Sequence, residues 1–307
     1  MVEFPPQTLV SVPFDLLPPG DSRIEVRLRS VDDFSKALGK YGTRLRSVQL
    51  PGRELAGLEE SACMSSPQNV SIRIRVGGLE ELLEVDLRRR VPAGRTVFLV
   101  EVGPEFPRVL NHLADLNARI HILPRARRSD AAPEEPADEE LLDRALETFL
   151  RHPTLRTPVE PLAAVLHTTI EGKGPSLWDT EREKAGGTFY MSETGEVSLS
   201  ARCHDYGTNF GTMEDTYEAL TESAAYRRFT SLRTAIFSEK LACVFCPHLR
   251  PCGGFFKALD AEADCSAWQH AFARLAEETQ NARELVRHYS GTEGGGRKGR
   301  TGGMHGG

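Results

Sequence analysis

The sequence predicts an α/β protein, with βα units arranged around a parallel sheet. Two observations carry this. Short segments in the first 124 residues alternate apolar and charged residues, the period of a half-buried strand, and helix-like stretches separate them. Strands and helices that alternate at this spacing are the pattern of parallel α/β folds.

Taken in order, Ile24-Glu-Val-Arg-Leu-Arg29 reads as the first alternating strand, and residues 31–42 as a helix stopped by Gly42. Residues 46–50 form a short strand before the turn-prone Pro51-Gly52. Val70-Ser-Ile-Arg-Ile-Arg-Val76 alternates strictly, and 79–90 suits a helix. Thr96-Val-Phe-Leu-Val-Glu-Val102 is a more continuous β-rich run, as in a buried parallel strand. A helix over 107–117 and a strand over 119–123 complete this region. Residues 125–140 turn from basic to Ala, Pro, Asp and Glu, a linker or surface loop, and a helix resumes at 139–150.

Beyond residue 157 the texture changes. Val159-Glu-Pro161 leads a helix to Thr169, and 172–187 is a loop carrying Trp178. Residues 188–191 and 196–200 flank Glu193-Thr194-Gly195 as a hairpin. Residues 213–237 read as mostly helical. A cysteine-rich segment follows, then a helix from Ser266 to about Tyr289. The tail, 291–307, is mainly glycine and cannot bury a core.

The 307 residues are 39% hydrophobic and 27% charged, enough for a sizeable core. A net charge of −6 argues against a nucleic-acid partner, which normally needs a clustered basic face. No run of about 18 apolar residues suggests a membrane span, and residues 1–20 lack the pattern of a secretory signal. The expected location is cytoplasmic, where thiols stay reduced and clustered cysteines more often ligate metal than form disulfides.

Four of the six cysteines fall within residues 243–265. Cys243-Val-Phe-Cys246 is a C-x2-C pair, whose turn can aim two sulfurs at one centre. Cys252 follows after five residues, trailed by Gly253-Gly254, and Cys265 after twelve more. The glycines permit close backbone approach and unusual dihedrals. Amides freed in such a turn can hydrogen-bond cluster sulfurs. Structural zinc sites often present two C-x2-C knuckles; one knuckle followed by single cysteines looks more like iron–sulfur ligation. Zinc and unligated thiols stay open as alternatives.

The stretch Cys243-x2-Cys246-x5-Cys252-Gly253-Gly254 resembles the C-terminal SPASM domain of radical SAM peptide-maturing enzymes. Val159-Glu-Pro161, Phe189-Tyr190, Glu193-x-Gly195-Glu-Val197, Cys203 and Phe210-Gly211 follow that domain's usual order, over roughly 157–290. The resemblance implies one auxiliary [4Fe-4S] cluster on Cys243, Cys246, Cys252 and Cys265, with Cys203 as the rival fourth ligand. SPASM domains commonly continue as C-Gly-Gly-x-C, but this chain has Phe256 at that place, which argues against an inner cluster. Radical SAM enzymes also carry an early C-x3-C-x2-C in a partial TIM barrel. Here only Cys63 precedes residue 200, so SAM cleavage by this chain alone is not expected.

The fold implied is a degenerate partial TIM-like (βα) barrel over 1–124, a linker and helix over 125–156, a SPASM-like cluster domain over 157–290 and a Gly-rich tail over 291–307. The function implied is that of an iron–sulfur pseudoenzyme or partner, similar to the stand-alone SPASM-domain proteins of GeoRSP-type systems. It would act beside a radical SAM enzyme on a ribosomal precursor peptide, docking peptide or partner, its cluster either relaying an electron or bracing the docking surface. The alternatives are a redox enzyme using the cluster and a structural zinc protein. No acid–base pair or nucleophile stands out: Cys203-His204-Asp205 are sequence neighbours, whereas triads assemble from distant positions. Cys63 reads as a free thiol, His248 as a solvated loop residue, and Trp178, Tyr190 and Trp268 as packing residues.

Overall fold

In the computed structural model the alternating segments become strands of one curved sheet. The structure describes residues 2–16, 18–57, 70–83, 86–87, 91–92, 94–124, 138–183, 187–231 and 242–293, with side chains to 284. Cys63, most of the 125–140 segment and the glycine tail from 294 lie outside these residues.

Seven strands run parallel in chain order: β1 (Leu9–Pro13), β2 (Arg23–Arg27), β3 (Leu45–Pro51), β4 (Ser71–Val76), β5 (Thr96–Glu101), β6 (Arg119–Leu123) and β7 (Val159–Glu160). Sequential parallel order is what a partly closed βα barrel requires. Beyond β1 the sheet continues with β8 (Thr188–Met191), parallel to β1, then β9 (Glu196–Ser198) and β10 (Gly211–Thr212), both antiparallel. The expected hairpin is β8–β9, with Gly195 at φ +82° in its turn. Strands from the two ends of the chain thus share one sheet.

The alternation sorts side chains between two faces. On one face Val10, Val12, Ile24, Val26, Val48, Ile72, Ile74, Ile120 and Ile122 are almost wholly buried. Helices α1 (Asp33–Tyr41), with Phe34, Ala37 and Tyr41, and α3 (Phe106–Asp115), with Val109, Leu110 and Leu113, pack there; the one-turn α2 (Glu80–Leu83) lies between them in sequence. The opposite face carries Ser11, Glu25, Arg27, Gln49, Arg73 and Arg75, and these line a cavity. The charged half of each strand therefore faces an internal space.

The link from β1 to β2, residues 14–22, shows no helix among its described residues, although parallel crossovers usually hold one. α1 pins this link: Tyr41 Oη donates to the carbonyls of Phe14 and Leu16, and Arg44 donates to those of Pro18 and Ser22.

The second half adds α4 (Asp138–Arg151), α5 (Leu162–Glu171), α6 (Leu177–Thr180), α7 (Ala201–Asp205), α8 (Tyr217–Glu222), α9 (Ala224–Thr230), α10 (Leu249–Cys252) and α11 (Ser266–Glu293). The expected helix over 213–237 is interrupted. The side chains of Thr216 and Ser223 accept backbone N–H groups and start α8 and α9 separately. The last helix runs four residues past Tyr289, to Glu293. It lies against α4 and α5, burying Trp268, Ala271, Phe272 and Leu275 at helical spacing.

Candidate functional site

The cysteine segment is a chain of tight turns. A 3-10 turn over Ala242–Phe245 holds the first pair, and Cys246 N–H donates to the Cys243 carbonyl at 3.1 Å. α10 then delivers Cys252, and Gly253 and Gly254 follow at φ +65° and +77°. Only glycine adopts these angles readily. They turn the backbone so that the amides of Phe256, Gly254 and Phe255 lie near enough to the Cys252 sulfur to favour its thiolate, while the Phe255 N–H donates to the Cys252 carbonyl at 3.2 Å. Trp178 closes over this turn, its Nε1 donating to the Gly253 carbonyl at 3.0 Å. Its ring meets Phe255 and Phe229 edge-on.

Cys243, Cys246, Cys252 and Cys265 all line one small cavity, walled by Leu249, Phe256 and Phe272. Cys265 stands at the start of α11, where its sulfur accepts from Gln269 Nε2 at 3.2 Å. Burial pushes the Cys252 thiol up to about 11, the three amides opposing. The Cys243 thiol is also raised, first by burial and then by Cys265 and Cys246 beside it, with Lys257 opposing. A lone thiol in such a place stays protonated at neutral pH, so ligation by metal is what would draw out the thiolates. Among the described residues, no three His, Cys, Asp or Glu side chains converge closely enough to hold a single metal ion.

Cys203 lies elsewhere. It is fully buried in α7, does not line this cavity, and has its thiol pushed up to about 12 by burial. His248, read as a solvated loop residue, is half-buried: it lines the thiol cavity edge-on to Phe272, and burial lowers its pKa. A Cys-Pro-His triplet was the only sequence sign of this.

A larger cavity, about 490 Å³, occupies the charged face of the sheet. Glu25 is central. Ser47 Oγ donates to it, Arg73 Nη1 reaches it at 3.2 Å and Arg182 Nη1 lies 3.5 Å away. Burial alone would raise its carboxyl, but Arg73 and Arg182 outweigh burial and hold it at about 2. Glu181, Arg182 and Glu183 come from the 172–187 stretch, expected to be a plain loop. Arg182 has φ +58°, uncommon for a residue with a Cβ, and this bend brings its neighbours to the cavity wall. Glu181 meets His121 of β6 at 2.7 Å. Glu183 meets Arg202 through two hydrogen bonds, and Arg202 also donates to the Phe255 carbonyl while lying 3.6 Å over its ring. These contacts tie the barrel wall to the cysteine turn. Phe256 lines both cavities, stacked on Trp268.

The chain is a mixed α/β fold with a large, mostly parallel sheet. Solved structures of anSMEcpe share that fold. The native enzyme with bound AdoMet and Kp18Cys peptide superposes at a TM-score of 0.54 and 16% identity, covering 84% of this chain and 86% of that one. The form with AdoMet and Cp18Cys peptide gives 0.54 and 15%, and the form with AdoMet alone 0.53 and 14%, each covering 85% and 86%. No family model and no curated protein matches the sequence.

Proposed function

We propose that this chain is an iron–sulfur protein of peptide modification. It carries one [4Fe-4S] cluster on Cys243, Cys246, Cys252 and Cys265 in a SPASM-type module, and it works beside a radical SAM enzyme without cleaving SAM itself. The observation that carries this reading is the gathering of the four cysteines, spread over 23 positions, around a single apolar-walled cavity. The donor set fits a cluster: four sulfurs and no carboxylate, with backbone amides already near one sulfur. A tetrahedral zinc would draw its sulfurs to about 2.3 Å from one point. A cluster spreads its ligands over separate irons, and four thiols around one cavity would supply such a set. When bound, such a cluster would supply one-electron capacity or bracing of the domain.

The barrel end supports the second half of the reading. SAM cleavage, by the resemblance, needs three thiolates early in the chain. The β1–β2 link holds no cysteine, and only Cys63 precedes Cys203. The fold likeness to a maturase solved with AdoMet and peptide is consistent with work on a ribosomal precursor peptide.

Anaerobic purification with iron, zinc and acid-labile sulfide analysis tests the cluster. About four irons and four sulfides per chain are expected; one zinc and no sulfide would overturn it. Reduced protein mixed with SAM should yield no 5′-deoxyadenosine. Production of that compound by the isolated chain would overturn the pseudoenzyme reading alone.

A further inference from the structure

The barrel cavity holds an unevenly satisfied set of charges. Five arginines and four carboxylates line it. Glu25 serves Arg73 and Arg182 together, Glu183 serves Arg202, and Arg75 pairs with Glu101 just outside the lining. Arg27 differs. Its Nη1 donates to Ser11 Oγ at 2.9 Å, its Nη2 to the Met191 carbonyl, and its plane lies 4.1 Å over the Tyr190 ring. Among the described residues, no carboxylate lies within ion-pair distance of it. These contacts hold the guanidinium in place without neutralising it, a costly state for a largely buried cation unless an anion completes it.

The sheet register sets donors beside it. Arg27 of β2 pairs with Gln49 of β3, and Gln49 with Arg73 of β4, so the three form one row across adjacent strands. Neighbouring strands lie about 4.8 Å apart, so a single bound group can reach two members of such a row. Gln49 also lines the cavity. The wall also carries an apolar set, Leu99, Leu123, Leu199, Phe255 and Phe256, beside polar residues that include Ser200 and Asp205. A volume of about 490 Å³ is that of a small-molecule site.

We propose that this cavity binds a ligand through a single carboxylate held by Arg27 and Gln49, with the ligand's apolar portion against the leucine and phenylalanine wall. Arg27 is the lining arginine with no carboxylate within ion-pair distance among the described residues, and one carboxylate supplies the single charge it lacks. A guanidinium's parallel N–H groups suit a carboxylate. The carboxylate can belong to a free organic acid or to an acidic side chain of a peptide. The anchoring residues Arg27 and Gln49 do not line the thiol cavity, although Phe256 lines both.

Full-length protein, with its iron content recorded, is titrated at constant ionic strength with four probes: 4-methylpentanoate, its neutral counterpart 4-methylpentanamide, inorganic phosphate, and a capped octapeptide with one Glu. Thermal shift and calorimetry give the affinities. 4-Methylpentanoate or the peptide should bind and raise the melting temperature, as ligands of the native state do, while 4-methylpentanamide should not. Tighter binding of 4-methylpentanoate identifies a free acid, tighter binding of the peptide an acidic side chain. Arg27→Met should weaken the better probe at least about tenfold, as for loss of a hydrogen bond to a charged group. Arg27→Lys should fall between. Gln49→Leu, which leaves every buried ion pair intact, should weaken binding severalfold and serves if Arg27→Met fails to fold. Preference for phosphate over both carboxylates, or affinities unchanged in Arg27→Lys and Gln49→Leu, would overturn the proposal.

Discussion

Glu25 offers the sharpest measurement. Its carboxyl is held at about 2 against an ordinary value of 4.5, by Arg73 and Arg182 acting against burial. A folded-state value below the unfolded one means the contribution is fully present above pH 4.5 and is lost as pH falls toward 2. A difference of that size corresponds to about 3 kcal/mol of stability at neutral pH, of which roughly 2 is gone by pH 3. Glu25→Gln removes the titrating group and leaves two buried guanidinia without their carboxylate, which should cost about 3–5 kcal/mol near neutrality. The assay is urea unfolding of both proteins from pH 7 down to pH 2.5. Subtracting the curves cancels the other carboxylates. The gap should be widest at pH 6–7, hold to about pH 5, and close by roughly 2 kcal/mol at pH 3. A gap equally wide at pH 3 and pH 7 would refute the assignment of Glu25 as the anion shared by Arg73 and Arg182.

Other expectations follow from neighbouring contacts. Cys252→Ala and Cys265→Ala should each lose cluster iron and lower the stability of the cysteine segment, whereas Cys203→Ala should keep full iron and sulfide; the reverse pattern would move the fourth ligand to Cys203. Gly253→Ala forces a side chain into φ +65° with its Cβ 2.8 Å from Trp178 Cδ1, and should cost about 1–3 kcal/mol in chemical unfolding. Arg202→Met strands the buried Glu183 and should cost about 3–5 kcal/mol, with Glu183→Gln in the same background recovering part of the loss. Phe272→Ala, which removes a ring from beneath the thiol cavity, should cost about 3–5 kcal/mol, read by thermal or urea unfolding.

The strands were legible because alternation marks which face meets polar surroundings. What alternation does not say is where those surroundings are. Arg27, Arg73 and Arg75 read as solvent-facing, yet they line a cavity, to which β8 adds Thr188 and Tyr190 by pairing with β1, the paired residues 179 positions apart. β1 itself, Leu-Val-Ser-Val-Pro, is short, ends in proline and gives a weak signal. The grouping of four cysteines was legible from spacing alone. That Cys203 does not line the same cavity was not, because it rests on how α7 packs. Nor were Glu181, Arg182 and Glu183: no periodicity marks a stretch whose shape comes from one left-handed residue at 182. The break between α8 and α9 was written in the sequence as Thr216 and Ser223, capping residues inside an otherwise helical run.

Among the described residues, Phe256 is the one that lines both the barrel cavity and the thiol cavity, packed against Trp268 and Phe255. A guest that displaces this ring in one chamber reshapes the wall of the other. Coupling of that kind is reciprocal: the factor by which the first guest alters the second is the factor by which the second alters the first. A substitution at 256 changes both walls at once.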